Sequence, residues 1–281
     1  PLYMESEKPL SLIKRIRREL FPYKQIWQWY FNKATRANFI KNIDPSVDYR
    51  PPKYILRDHY CKKKYSKFAK KFRYYPFKKI NKFVYFPLQF TPEGSTDLTC
   101  PLFSNQLELA RQIAMSLPGD YTLVVKEHPS MVGFRTPSYY EKISRTPNVK
   151  LIDYRISADE ILKKANLIIG SYSTVLAEAA FYWKPAILLS DVGIFPFFPN
   201  VFKHSDILTL SKKIKELLSI NLETEKYERQ LENYVAAVFD VGFTINYRNI
   251  WFKADNKDRN KLINKFIEEI KNNLNENRKN S

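Results

Sequence analysis

Between residues 83 and 190 the chain alternates short, wholly apolar runs with stretches in which apolar positions recur every three to four residues. "FVYFPLQF" (83 to 90), "YTLVVKEH" (121 to 128), "VKLID" (149 to 153), "NLIIG" (166 to 170) and "PAILLS" (185 to 190) predict buried strands. "SNQLELARQIAMSL" (104 to 117), "SADEILKKA" (157 to 165) and "STVLAEAAFYW" (173 to 183) predict the helices between them. Strands that are apolar on both faces and separated by helices predict a parallel sheet covered on both sides. The fold class expected for residues 81–210 is therefore α/β, a Rossmann-like unit.

The flanks read differently. Residues 1–80 predict a mainly helical, aromatic-rich region: in "SLIKRIRREL" Leu12, Ile13, Ile16 and Leu20 share one helical face, with Lys14, Arg15, Arg17 and Arg18 largely around it, and "FPYKQIWQWYF" follows. Residues 211–281 predict a helical tail, "LSKKIKELLSI" (from Leu210), "TEKYERQLENYVAAVFD" and "KLINKFIEEIKNNLNENRKNS", with alternating charges on solvated faces and a frayed end. No internal repeat is visible.

Composition narrows the classes. A chain of 281 residues buries a full core as one large or two small domains. No run approaches the roughly 18 to 20 apolar residues that cross a bilayer, and nothing at the start reads as a signal peptide, so any membrane role is expected to be peripheral. The sequence opens on Pro1 and not Met, as a piece of a longer chain would. Cys61 and Cys100 are too few for a disulfide framework and lack zinc-ligand spacing, which suits a reducing cytoplasm. The net charge of +18 is concentrated at the front: residues 1–80 carry 21 Lys and Arg against 6 Asp and Glu, residues 81–281 carry 26 against 23. Such a front attracts anionic lipid headgroups, phosphorylated substrates or nucleic acid. The amphipathic segment reads either as an interfacial anchor on the inner membrane face or as a helix packed on a domain with a solvated basic side. "CKKKYSKFAKKFRYYPFKK" interleaves cations with aromatics that could stack single-stranded nucleic acid, but no nucleic-acid-binding signature accompanies it, so nucleic acid is not expected as a partner.

In open parallel sheets ligands bind beyond the carboxyl ends of the strands, and three candidate sites fall there. The first is Lys126, Glu127, His128 and Pro129: the proline stops the strand and His128 is left at the rim, either to meet a phosphate oxygen or simply as a residue that ends a strand. The second is "GSYST" (170 to 174), where Ser171, Ser173 and Thr174 bring hydroxyls and backbone N–H groups to a helix start, for phosphate binding or for ordinary capping. The third is Glu178, one turn beyond Thr174, which could accept from a ribose diol or lie on the surface.

"KEHP" and "GSYSTVLAEAAFYWKP", preceded by "VYFPLQFTPEGST", resemble the C-terminal nucleotide-sugar-binding domain of GT-B glycosyltransferases that build bacterial capsule and lipopolysaccharide. The His-Pro and Ser-x-Ser-Thr elements are similar in particular to those of sialyltransferases and Kdo transferases, which use CMP-sugars. The resemblance covers about residues 83 to 200. It implies that His128 contacts the donor phosphate and assists the leaving nucleotide, that Ser173 and Thr174, with Ser171 and Lys126 nearby, bind that phosphate, and that Glu178 holds the ribose. It also implies a metal-independent enzyme with no cofactor, a nucleotide-sugar donor, and a glycan or lipid-linked acceptor. The sequence departs from the sialyltransferase pattern: residues 1–80 show neither the acidic-acidic-Gly motif nor the strand alternation of the N-terminal domain that carries it, as expected if that domain is missing here or the chain is a reduced relative. Glu93, beside Gly94 after the first strand, is the candidate catalytic carboxylate in its place, or a simple turn residue. A teichoic-acid-like polymer phosphotransferase and a non-catalytic polysaccharide- or membrane-binding module are the alternatives.

Overall fold

The computed structural model describes residues 11–31, 51–98, 100–190, 193, 195–243, 245, 250 and 256–279. Six strands, β1 (Phe83–Pro87), β2 (Thr122–Lys126), β3 (Val149–Ile152), β4 (Leu167–Gly170), β5 (Ala186–Leu188) and β6 (Val201–Lys203), form one parallel sheet in the order β3-β2-β1-β4-β5-β6. The chain winds outward from β1 through β2 to β3, then returns to the other side of β1 and winds out again. The order reverses between β1 and β4, which opens a crevice at their carboxyl ends.

Alternation along each strand divides the core into two layers. On one face Val84, Phe86, Leu123, Val125, Leu151 and Ile169 pack with Leu109 and Ile113 of α4 (Gln106–Ser116), Tyr140 and Ile143 of α5 (Pro137–Arg145), and Ile214 and Leu217 of α8 (Leu210–Leu218). On the other, Phe83, Tyr85, Val124, Ile152 and Ile168 pack with Ile161 and Leu162 of α6 (Ala158–Lys164) and Leu176 of α7 (Thr174–Glu178). Truncating any of the large aliphatic members to Ala costs about 2–5 kcal/mol. The starts of α4 and α6 carry side-chain caps: Asn105 accepts from the Glu108 amide at 3.2 Å and Ser157 from that of Glu160 at 3.1 Å.

The elements fall where the pattern predicted them, with shorter strands. Three differences stand out. The helix expected over 173 to 183 divides into α7 and a 3-10 turn, Ala179–Tyr182, closed by Trp183 in the left-handed region at φ 53°. α5 and β6 were not predicted: α5 carries apolar residues at only a few positions, and β6 has three residues. The basic segment and the aromatic cluster form one helix, α1 (Leu12–Phe31), which runs through Pro22, and a second helix, α2 (Pro52–Lys71), follows.

The chain divides into two compact units, Pro1–Tyr227 and Glu228–Ser281. The sheet unit therefore extends past the boundary expected at residue 210, because Leu210, Ile214 and Leu217 are fully buried in its core. It also includes α1 and α2. The second unit holds most of α9 (Glu225–Val241) and α10 (Asn256–Lys279), an amphipathic helix with Ile263, Phe266, Ile267 and Ile270 along one side. The fraying expected of the final residues, Asn280 and Ser281, lies outside the described residues.

Candidate functional site

β1 and β2 run in register, with Pro87 opposite Lys126, so the segments leaving these strands are neighbours at the rim. From β2 the chain continues as Glu127 and His128, and Pro129 opens a single 3-10 turn, Pro129–Met131. The imidazole is held locally: its Nδ1 accepts from the Ser130 amide at 3.2 Å, which leaves the proton of the neutral ring on Nε2. The ring lies edge-on to Phe90, with centroids 6.1 Å apart. Burial holds the pKa of His128 below its ordinary value. The Glu93 carboxylate pulls the other way, and the Lys126 and Arg135 cations add to the lowering. His128 is thus a neutral hydrogen-bonding group near pH 7, within electrostatic reach of Glu93, Lys126 and Arg135.

Lys126 is 6% exposed, and its Nζ donates to the Ile156 carbonyl at 2.9 Å. Burial pushes its pKa down to about 8, and the Glu178 carboxylate opposes the shift. The end of β2 thus lies within charge range of α7, across β1. On α7, Thr174 Oγ1 donates to Glu178 Oε1 at 3.2 Å, so the residue pair separated by one helical turn meets as its spacing predicted. Ser173 occupies the N-cap, its Oγ accepting from the Val175 amide at 3.4 Å. Ser171 is fully buried, with its carbonyl accepting from Cys100 Sγ at 3.4 Å. Its hydroxyl lies inside the protein, whereas Thr174 is exposed and Ser173 half-buried. Glu93 precedes a short helix, α3 (Gly94–Asp97), and its backbone amide donates to Asp97 Oδ2 at 2.9 Å.

Two supports of this rim are not legible from motif spacing. Glu127 is 1% exposed, and Arg135 Nε lies 2.8 Å from its Oε2 as an ion pair, though not aligned as a hydrogen bond. Glu127 Oε1 accepts from the His128 amide at 2.9 Å. Arg135 also donates to the Gln89 carbonyl at 3.0 Å and lies over the Tyr139 ring at 4.3 Å. One guanidinium thus ties the segment after β2 to the segment after β1. Burial pushes the Glu127 carboxyl up to about 7, against the pull of Arg135. The second support is Gly193, at φ +98°, where a Cβ would stand 2.9 Å from the Tyr172 hydroxyl oxygen and closer still to the ring. A glycine in the left-handed region therefore lets the segment after β5 close on Tyr172, which packs edge-on against Phe195 at 4.9 Å.

The arrangement joins one neutral imidazole, one buried cation, a Thr-Glu pair, a capping serine and an exposed carboxylate at the crevice where the strand order reverses. Such a set can bind an anion and pair with hydroxyls. Among the described residues, no three His, Cys, Asp or Glu side chains gather as a metal-holding group.

No family model and no curated protein matches the chain. Its structure is similar to that of UDP-GlcNAc 2-epimerase from Methanocaldococcus jannaschii, with a TM-score of 0.41 and 16% identity over 67% of this chain and 54% of that one. It is also similar to Thermosulfurimonas dismutans KpsC, a beta Kdo 2,7 transferase, with a TM-score of 0.36 and 17% identity over 53% and 46% of the two chains. A third is the wall teichoic acid polymerase TagF, with a TM-score of 0.33 and 16% identity over 65% and 43%. The chain spans about half the length of these structures. At these scores and identities the likeness adds nothing beyond the α/β fold, which the sheet order establishes by itself.

Proposed function

We infer that the protein is a glycosyltransferase of GT-B type that takes a sugar from a nucleotide-activated donor at the β1/β4 crevice. One observation carries the reading: His128 after β2 lies within charge range of both Glu93 after β1 and Lys126, and Lys126 lies within charge range of Glu178 on α7, whose carboxylate accepts from Thr174. In this reading the donor phosphate lies against Ser173, Thr174 and Lys126, with Ser171 behind them. Glu178 accepts from the ribose hydroxyls. His128, neutral and with Nδ1 occupied, donates from Nε2 to the departing phosphate and so offsets charge that grows as the glycosidic bond to it breaks. Glu93 is the carboxylate that would take a proton from the attacking acceptor hydroxyl. Hydroxyls, amides and a lysine do the work of charge neutralisation, so no metal is required.

The finer expectations belong to the same reading: a CMP-sugar donor, a role in capsule or lipopolysaccharide synthesis, and a peripheral position on the inner membrane face. The last is supported by α1, where Ile13, Ile16, Leu20, Trp27 and Phe31 lie on one face and are each at least half exposed. No described helix is long and apolar enough to cross a membrane. Incubation with CMP-, UDP- and GDP-sugars and a glycan acceptor, followed by mass spectrometry of the product, tests the reading. A glycosidic product lost in Glu93→Gln and His128→Ala supports it. A phosphodiester product would transfer the crevice to a polymer phosphotransferase, and full turnover by Glu93→Gln would remove that residue from the mechanism.

A further inference from the structure

Beside the crevice lies a half-open cavity of about 1760 Å³, lined by α1, α2 and the segments that follow β1 and β2. Phe90 and Pro92 after β1, and Gly133 and Phe134 after β2, form its floor. Phe90 also meets the His128 ring, so the cavity adjoins the candidate reaction centre. α2 is seated there by shape. Gly133 has φ +97°, and a Cβ on it would collide with Ser66 Oγ and stand 2.9 Å from the Lys62 carbonyl oxygen. Phe68 of α2 and Phe72 just after it pack against Tyr140 of α5, with centroids 6.1 and 5.7 Å apart, and α1 joins α2 through Glu19 with Lys63 and the Tyr23–Tyr60 hydroxyl pair.

The charge of this cavity is unbalanced. Of its two lining acids, Glu19 is paired with Lys63 and Asp58 with Arg57. Arg18, Lys62, Lys67, Lys70 and Lys71 also line it, and none of these five has a carboxylate partner among the described ion pairs. Lys62 Nζ sits 4.1 Å over the Phe134 ring, and burial, with a smaller push from Arg18, lowers its pKa. The volume exceeds the roughly 300–1,000 Å³ typical of small-molecule pockets, so the cavity suits an extended ligand. The exposed apolar stripe of α1 lies, by the 3.6-residue period, opposite Arg18, Pro22, Gln25 and Trp29, the middle of the arc that lines the cavity, with Glu19, Phe21 and Gln28 at its flanks. A bilayer meeting that stripe would therefore face away from the cavity.

We propose that this cavity binds a soluble chain bearing several phosphate groups, with the five cations on the phosphates and the aromatic walls on the units between them. Calling that chain the acceptor rests on the transferase reading; the anion site itself does not. The test is equilibrium binding of inorganic polyphosphate at two salt concentrations. It compares the full chain, the variant Lys62→Gln, Lys67→Gln, Lys70→Gln, and a control of equal charge change outside the cavity, Lys53→Gln, Lys64→Gln, Lys78→Gln. The cavity variant is expected to bind at least about tenfold more weakly and the control within about twofold, given that each charge-assisted phosphate contact is among the stronger hydrogen bonds. Equal loss in both variants would overturn the proposal in favour of diffuse surface charge. Loss confined to phosphatidylglycerol vesicles, with polyphosphate binding unchanged, would overturn it in favour of a lipid headgroup. Nucleotide binding by the cavity variant should be unchanged; if no nucleotide binds any form while polyphosphate behaves as expected, the transferase reading fails and the anion site stands.

Discussion

Replacing Arg135 by Met removes the cation beside Glu127 and should destabilise the protein in a way that depends on pH. In the native fold burial raises Glu127 from an ordinary 4.5 to about 7. A carboxylate with a raised folded-state pKa contributes stability that is fully present below its unfolded value and is lost as pH rises through the folded one. Without Arg135, whose charge lowers that value, the folded pKa rises further, and the loss continues above 7 at about 1.4 kcal/mol per pH unit. Near pH 6 the side chain escapes by taking up a proton. There the cost reduces to the hydrogen bond to the Gln89 carbonyl and the contact with the Tyr139 ring, about 1–3 kcal/mol together. By pH 9 the charge adds up to about 2–3 kcal/mol, which brings the total to the roughly 3–5 kcal/mol known for broken buried pairs. Urea unfolding followed by circular dichroism at both pH values reads the difference; titrations that Arg135 does not perturb cancel, and the smaller change at His128, which Arg135 does perturb, is subtracted by making the same substitution in a Glu127→Gln background. Adding Glu127→Gln should abolish most of the extra loss at high pH. A destabilisation equal at pH 6 and pH 9, or one whose pH dependence survives Glu127→Gln undiminished, would refute the claim that this pair clamps the rim.

Gly133→Ala should cost about 1–3 kcal/mol, since the new Cβ meets Ser66 and the Lys62 backbone at a left-handed φ, and should speed hydrogen exchange in α2 while leaving nucleotide binding intact; unchanged stability would mean that α2 is not seated on that loop. Nucleotide affinity should fall as pH rises through about 8, where Lys126 loses its proton. Because Lys126 has a lowered folded-state pKa, its own titration raises stability between about 8 and 10.5, so unfolding through this group cannot produce that loss. Binding that is flat to pH 9.5 would remove Lys126 from the phosphate site.

The parallel sheet was legible because its strands are apolar throughout and the intervening helices keep a 3.6-residue period. Val84, Leu123 and Ile168 could belong nowhere but a doubly covered core. β6 escaped notice because Val201–Lys203 is three residues long and leads to an exposed lysine. The meeting of Thr174 with Glu178 followed from their spacing, and the cap at Ser173 from its place before an apolar run. The partnership of Glu127 with Arg135 did not, because a buried carboxylate and its cation need only be close in space. Nor did the burial of Ser171, which the hydroxyl-rich "GSYST" gave no reason to separate from Ser173 and Thr174. The run "CKKKYSKFAKKFRYYPFKK" announced charge and aromaticity but not that one helical face would wall a cavity beside His128, since that depends on the close approach Gly133 permits.

The central claim, that the β1/β4 crevice binds the phosphate of a nucleotide donor, is tested most directly by calorimetric titration of the protein with CMP, UDP, GDP and CDP-glycerol, alongside His128→Ala and Thr174→Val. The account predicts that at least one nucleotide binds, with an affinity that each substitution lowers about tenfold, roughly 1.4 kcal/mol, while both variants unfold at temperatures close to that of the native protein. No binding by any nucleotide, or binding indifferent to both substitutions, would contradict it.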